Sequence, residues 1–204
     1  ARAAQQARLD PLWPNSAIVV CMLARTMAAV DDAMADLLKP LTDSRRAHSI
    51  AVGRRMESAA SLLPDHLRAD AVKAAYLHDV GYGHPDLGFH PIDGARLLRS
   101  RGYSPVVCHV VAFHTAAEVE AEVRGLDPAV FEEFRLSDVA GLDVVDDFMW
   151  WADLSTGPNG EDFTVDERLR EILRRYEPGS IVHTAITQAE PRLRLAVQRA
   201  SGSM

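Results

Sequence analysis

The run Ala74-Ala75-Tyr76-Leu77-His78-Asp79-Val80-Gly81-Tyr82 sets an imidazole beside a carboxylate. Both groups ligate divalent metals. Adjacent side chains on a helix diverge by roughly 100°, so one ion takes both only at a helix end, where ligands from elsewhere in the chain can approach. Histidines gather around the pair. Of eight, five (His78, His84, His90, His109 and His114) lie between residues 78 and 114, where an even spread would place between one and two. Histidine and carboxylate without cysteine suit Fe, Mn, Co or Ni, permit Zn, and exclude a thiolate-rich structural zinc site.

Helices must bring such ligands together, and the apolar spacing predicts them throughout. Residues 1 to 14 read as an arm or frayed helix. From Asn15 or Ser16, apolar residues recur at helical spacing to Leu38, ending at Pro40. Thr42-Asp43-Ser44 offers N-caps for a helix to about Leu63, with His48 on its first turn. A third helix starts after Pro64 with Asp65 as cap and delivers His78-Asp79. Gly81, Gly83, Pro85 and Gly88 predict a loop, and Pro91 opens a helix over 91–101 with His90 just before it. Ser104-Pro105 opens another to about His114, with a continuation to Arg124 left open. A short helix is expected over 127–135. The next begins at 141–143 and carries Asp153, and a charged one spans 164–176 with a capping box at Thr164 and Glu167. Two short helical pieces follow Gly179, and the tail from Ser201 reads as disordered. No segment alternates as a strand should, so the expected class is all-α, a helical bundle around a metal site. Its domain spans 41–200, with residues 1–40 as an arm and helix packed on it.

At 204 residues, 48% hydrophobic and 25% charged, the chain suits one globular domain. A net charge of −7 without basic blocks offers no general attraction to nucleic acid or anionic lipid, so a phosphorylated ligand needs a local positive site. Cys21 and Cys108 fit no zinc spacing or disulfide framework, which agrees with a reducing cytoplasm. The apolar run Ala17 to Ala24 is far below the roughly 20 residues of a membrane span.

The order His48, His78-Asp79, Asp153, each on its own predicted helix, resembles the H…HD…D signature of the HD-domain superfamily of metal-dependent phosphohydrolases. "AYLHDVGY" and "WADLST" resemble the segments that carry that family's HD pair and last aspartate. The likeness spans roughly residues 40 to 156. His90 in "FHPIDGARLL" and His114 in "VAFHTAA" further resemble the two extra histidines of its binuclear members. The resemblance implies that His48, His78, Asp79 and Asp153 hold one metal, with His78 and Asp79 at the catalytic centre. It implies that Asp79 bridges to a second metal on His90 and His114. His109 lies five residues before His114, some 140° around a helix, and the two do not easily share one ion.

Tyr82 stands where the cyclic dinucleotide enzymes carry lysine and the small deoxynucleotidases glutamate, so no subfamily is matched in full. What the resemblance implies is hydrolysis of a small nucleotide or related phosphate ester by a metal-activated water, with two Fe or Mn ions, or Co, Ni or Zn. The alternative is an HD-type mixed-valent diiron oxygenase that cleaves a C–C or C–P bond. Phosphate oxygens are expected on Arg45, Arg46, Lys73 or Arg96, with Arg46 and Lys73 favoured by their closeness in sequence to His48 and His78, and His84 is expected to face substrate from its loop. The expected partners are a small phosphorylated substrate and at most a second copy of the chain as a homodimer, with no nucleic acid and no membrane.

Overall fold

Five of the six ligand candidates sit at or next to a helix boundary, and His48 lies in the second turn of its helix. In the computed structural model, which describes residues 32–204, the helices are α1 (Asp32–Leu38), α2 (Asp43–Ser58), α3 (Arg68–Leu77), α4 (His90–Ser100) and α5 (Pro105–Phe113). They continue as α6 (Ala117–Arg124), α7 (Leu142–Leu154), α8 (Val165–Arg175) and α9 (Ile181–Gly202). Tight 3-10 turns occupy Ala60–Leu62, Val80–Gly83, His114–Ala116 and Pro128–Phe131. The class is all-α. The one strand-like pairing among the described residues is an isolated bridge between Thr156 and Asp162.

Small residues let the central helices approach closely. Ala71, Ala74 and Ala75 on α3 are fully buried, and a Cβ on Gly53 of α2 would lie 2.3 Å from the Tyr76 ring. The Thr42 hydroxyl accepts from Arg45 N and starts α2 as its sequence suggests. Ser104 caps α5, accepting from Val107 N, and donates to Asp70 Oδ2 at 2.6 Å, which ties α5 to α3. The capping box of Thr164 and Glu167 is present on α8.

Several expectations need correction. The helix expected from residue 15 lies outside the described residues up to residue 31, as does most of the expected arm. The segment from Ser104 to Arg124 is not one helix: α5 stops at Phe113, and Thr115 (φ 48°) and Ala116 (φ 57°) adopt left-handed backbone before α6 begins. Asp65 does not cap α3 but pairs with Arg68. Residues 127–135 form only a 3-10 turn followed by a hydrogen-bonded turn over 132–134.

After Gly179 there is one 22-residue helix, α9, with Pro191 inside it, and it runs through Ser201 to Gly202. An interior proline costs roughly 3 kcal/mol. Burial offsets that cost: Ala189, Leu193 and Val197 join Ala116, Leu154 and Leu169 in one apolar cluster. Through it α9 packs on α7 and α6 and roofs the side of the bundle where the ligand candidates meet.

Candidate metal centre

His48 comes from α2, His78 caps the C-terminus of α3, and Asp79 follows in the turn. His90 opens α4, His114 ends α5 and Asp153 lies on α7. The structure brings all six together from five helices, as two groups. Ligand atoms of His48, His78 and Asp153 lie within 4.8 Å of one another, as do those of Asp79, His90 and His114. Asp79 stands between the groups. Its Oδ2 lies 3.4 Å from His78 Nε2 and 3.8 Å from His48 Nε2, while Oδ1 lies 3.5 Å from His90 Nε2.

Hydrogen bonds fix which nitrogen each ring turns inward. His48 Nδ1 lies 2.9 Å from Gly157 O, His78 Nδ1 2.9 Å from Ala75 O, and His114 Nδ1 2.6 Å from Val111 O. A carbonyl only accepts, so each Nδ1 carries a proton and Nε2 is the nitrogen whose lone pair binds metal in the neutral ring. His114 Nε2 then faces His90 Nε2 at 3.2 Å, and His48 Nε2 faces Asp153 Oδ1 at 3.0 Å. Between His48 and Asp153 two acceptors face each other and a proton or a cation relieves that, whereas His114 Nε2 is free to accept from a His90 Nε2–H or to share a cation with His90. His78 Nε2 is buried with no hydrogen-bond partner at all. Rings held by backbone carbonyls with their free nitrogens converging are the arrangement of metal-binding histidines. The residues present therefore fit divalent metal.

The electrostatics agree. Burial opposes charge on His78, but Asp79 and Asp153 outweigh it and the imidazole is pushed up to about 8. Burial also works against ionised Asp79 and Asp153. His78 and Arg45 hold Asp79 well below the carboxylate range, and His48 and His78 do the same for Asp153. Burial drives His90 and His114 down, which favours the neutral, ligating form.

Neighbouring groups position the six. Asp93 is buried and accepts from the backbone N–H groups of Leu87, Gly88 and Phe89 at 2.7, 3.0 and 3.1 Å, which fixes the loop leading into His90. An aspartate in the first turn of a helix was the available sequence signal. Tyr82 stacks on His90 with ring centroids 3.9 Å apart, and the Arg45 guanidinium sits 4.2 Å from the Tyr82 centroid while its Nη1 donates to Asp79 Oδ2 at 2.7 Å. Thr115 Oγ1 donates to Asp153 Oδ2. No periodicity marks Thr115, because its role follows from its left-handed backbone.

A cavity of about 100 Å³ opens over this centre, lined by Arg45, Asp79, Tyr82, His90, His114, Thr115 and Asp153 together with residues of α8 and α9. Of the side chains expected to bind substrate, Arg45 lines it, and Arg46, Lys73, Arg96 and His84 do not. Arg46 turns to Asp43 and to the carbonyls of Lys39 and Leu41, and Lys73 is exposed. Arg96 pairs with Glu133 and Asp86, and His84 Nε2 lies 3.4 Å from Leu37 O, in a separate cavity. The cation beside Asp79 is Arg45, one position before Arg46 and so about 100° around α2. His109 is also apart, held by Phe134 O and Asp146.

The HD domain family model matches residues 45–155, more than half of the chain, and all six ligand candidates fall within it. The chain belongs to the HD domain family. No curated protein and no solved structure matches it. This HD domain thus has the His/Asp groups expected of a metal-dependent, hydrolase-type family. Among the described residues no helix is long and apolar enough to cross a membrane.

Proposed function

We propose that this HD domain is a metal-dependent phosphohydrolase that holds two divalent ions, of iron or manganese, and acts on a small phosphate ester. The observation that carries the reading is Asp79, which presents one oxygen to each of two buried ligand groups beneath an open cavity. His48, His78 and Asp153 would hold one ion, His90 and His114 the other, and Asp79 both. When bound, such ions activate water as a nucleophile near neutral pH and neutralise charge on phosphoryl oxygens.

The chain's own groups set up that chemistry. Nδ1–H bonds to Gly157, Ala75 and Val111 keep three imidazoles aimed inward. Thr115 holds Asp153 by its outer oxygen. Arg45 lines the cavity beside Asp79 and is placed to bind an oxygen of the phosphoryl group. Tyr82 braces both Arg45 and His90.

The test is phosphate release by protein loaded with manganese, iron or cobalt, from a panel of monoesters, diesters and dinucleoside polyphosphates, under air and under anaerobic conditions. The reading expects release without oxygen, and loss of both metal and activity in Asp79→Ala. Substrate-dependent oxygen uptake with iron and no release from any ester would replace it with the diiron oxygenase. Stoichiometric metal retained by Asp79→Ala would overturn the ligand assignment.

A further inference from the structure

The wall of the cavity contributed by α8 and α9 lies beyond residue 155, where the family match ends. Arg168, Ile172 and Arg175 line it from α8, Tyr176 from just past its end, and Val182 and Ile186 from α9. Ile172 and Arg175 lie four and seven residues after Arg168, which puts the three on one helix face.

Arg168 is unusual there. It is 6% exposed, and while its Nη1 donates to Glu171 Oε2 at 2.6 Å, its buried Nε has no partner. A buried guanidinium N–H without an acceptor is costly, and such orphans in native proteins commonly await a ligand or ion. The local charge is also unbalanced. Arg175 Nη2 donates to the same Glu171 Oε2 at 2.7 Å, so one carboxylate serves two guanidinium groups. Of the other charges lining the cavity, Arg45 is paired with Asp79, Glu120 with Arg124, and Asp153 lies against His48 among the candidate metal ligands. The wall therefore carries two guanidinium groups served by one carboxylate, and one orphaned donor, beside Ile172, Val182 and Ile186.

We propose that Arg168 and Arg175 form a subsite for a second anionic group of the substrate, a carboxylate or a further phosphate, joined by a short apolar linker to the phosphate at the metal centre. Which group is cleaved rests on the hydrolase reading, but the subsite itself does not. The volume supports a short linker. About 100 Å³ is well below the roughly 300 Å³ at which sites for drug-sized ligands begin.

Uncleavable probes separate binding from turnover. Calorimetry on manganese-loaded protein compares phosphonoacetate and ethane-1,2-bisphosphonate, which carry a carboxylate and a second phosphonate, with ethylphosphonate, which carries neither. Wild type is expected to bind at least one doubly charged probe about tenfold or more tightly than ethylphosphonate, and which one identifies the anion. The preference should collapse to below about threefold in Arg168→Gln and in Arg175→Gln. Arg175 is partly exposed at 37%, so its variant tests the subsite even if loss of buried Arg168 disrupts folding. Equal affinities in wild type, or a preference that survives in Arg175→Gln, overturns the proposal. So does an equal loss for all three probes, which would place the arginines on the metal-side phosphate instead. Phosphate release from 2-phosphoglycolate and ethyl phosphate is measured separately, and its absence rejects the hydrolase reading without touching the binding result.

Discussion

Replacing Gly81 by alanine should remove one metal position and leave the other. A Cβ at Gly81 would lie 2.0 Å from His90 O, 2.6 Å from Gly94 N and 2.8 Å from His90 C. These are backbone atoms at the start of α4, with no flexible side-chain end to give way. Restoring even a 3 Å contact requires the turn after Asp79 and the first residue of α4 to separate by about 1 Å. That displacement acts on the gap between Asp79 Oδ1 and His90 Nε2, now 3.5 Å. Metal–ligand distances tolerate only about 0.2 Å, so the group of Asp79, His90 and His114 should lose its ion. His48, His78 and Asp153 reside on other elements and should keep theirs.

The variant should also lose about 1 to 3 kcal/mol of stability from overpacking and on the order of 100-fold in turnover from misplacement. The assay is elemental analysis after manganese loading and desalting, with thermal unfolding and phosphate release on the same samples. Metal content is expected to fall from about two to about one per chain, matching the His90→Ala, His114→Ala double variant. Gly202→Ala, where a Cβ meets nothing within 4 Å, is the silent control. Two metals and undiminished turnover in folded Gly81→Ala would refute the reasoning.

Three further outcomes follow from the same geometry. Pro191→Ala should stabilise the protein by roughly 1 to 3 kcal/mol in urea unfolding, because it completes a continuous helix; destabilisation would mean that Pro191 starts a separate helix. Thr115→Ala removes the donor to Asp153 and should weaken metal affinity by about 10-fold or more, with Thr115→Ser retaining it; equal affinity in all three proteins would deny Thr115 a positioning role. His78 is raised from 6.5 to about 8 in metal-free protein, so its contribution to stability is complete below pH 6.5 and is lost as pH rises through 8. Metal must displace that proton, so affinity in a chelator competition should rise about tenfold per pH unit below 8 and level off above it; a flat profile from pH 6.5 to 8 would refute the assignment of His78.

Residue type, order and spacing determined the class, most helix positions and the six candidate ligands, because helical periodicity, caps and ligand chemistry are written locally. What the sequence did not determine arises from contacts between distant segments. Gly81 reads as a turn signal, yet its φ is ordinary, and glycine is needed there because His90 O passes where a side chain would be. The smooth apolar run through His114 hides two left-handed residues, because the break depends on what surrounds Thr115 rather than on its own propensity. Pro191 reads as a helix boundary until the burial of Leu193 and its neighbours offsets it. Proximity in sequence ranked Arg46 and Lys73 above Arg45 as anion binders, but neighbours on a helix diverge by about 100°, and of the three it is Arg45 that faces the cavity. Arg168 and Arg175 could not be found this way at all, because only the folding of α8 and α9 over the bundle carries them to ligands some fifteen to more than a hundred residues away.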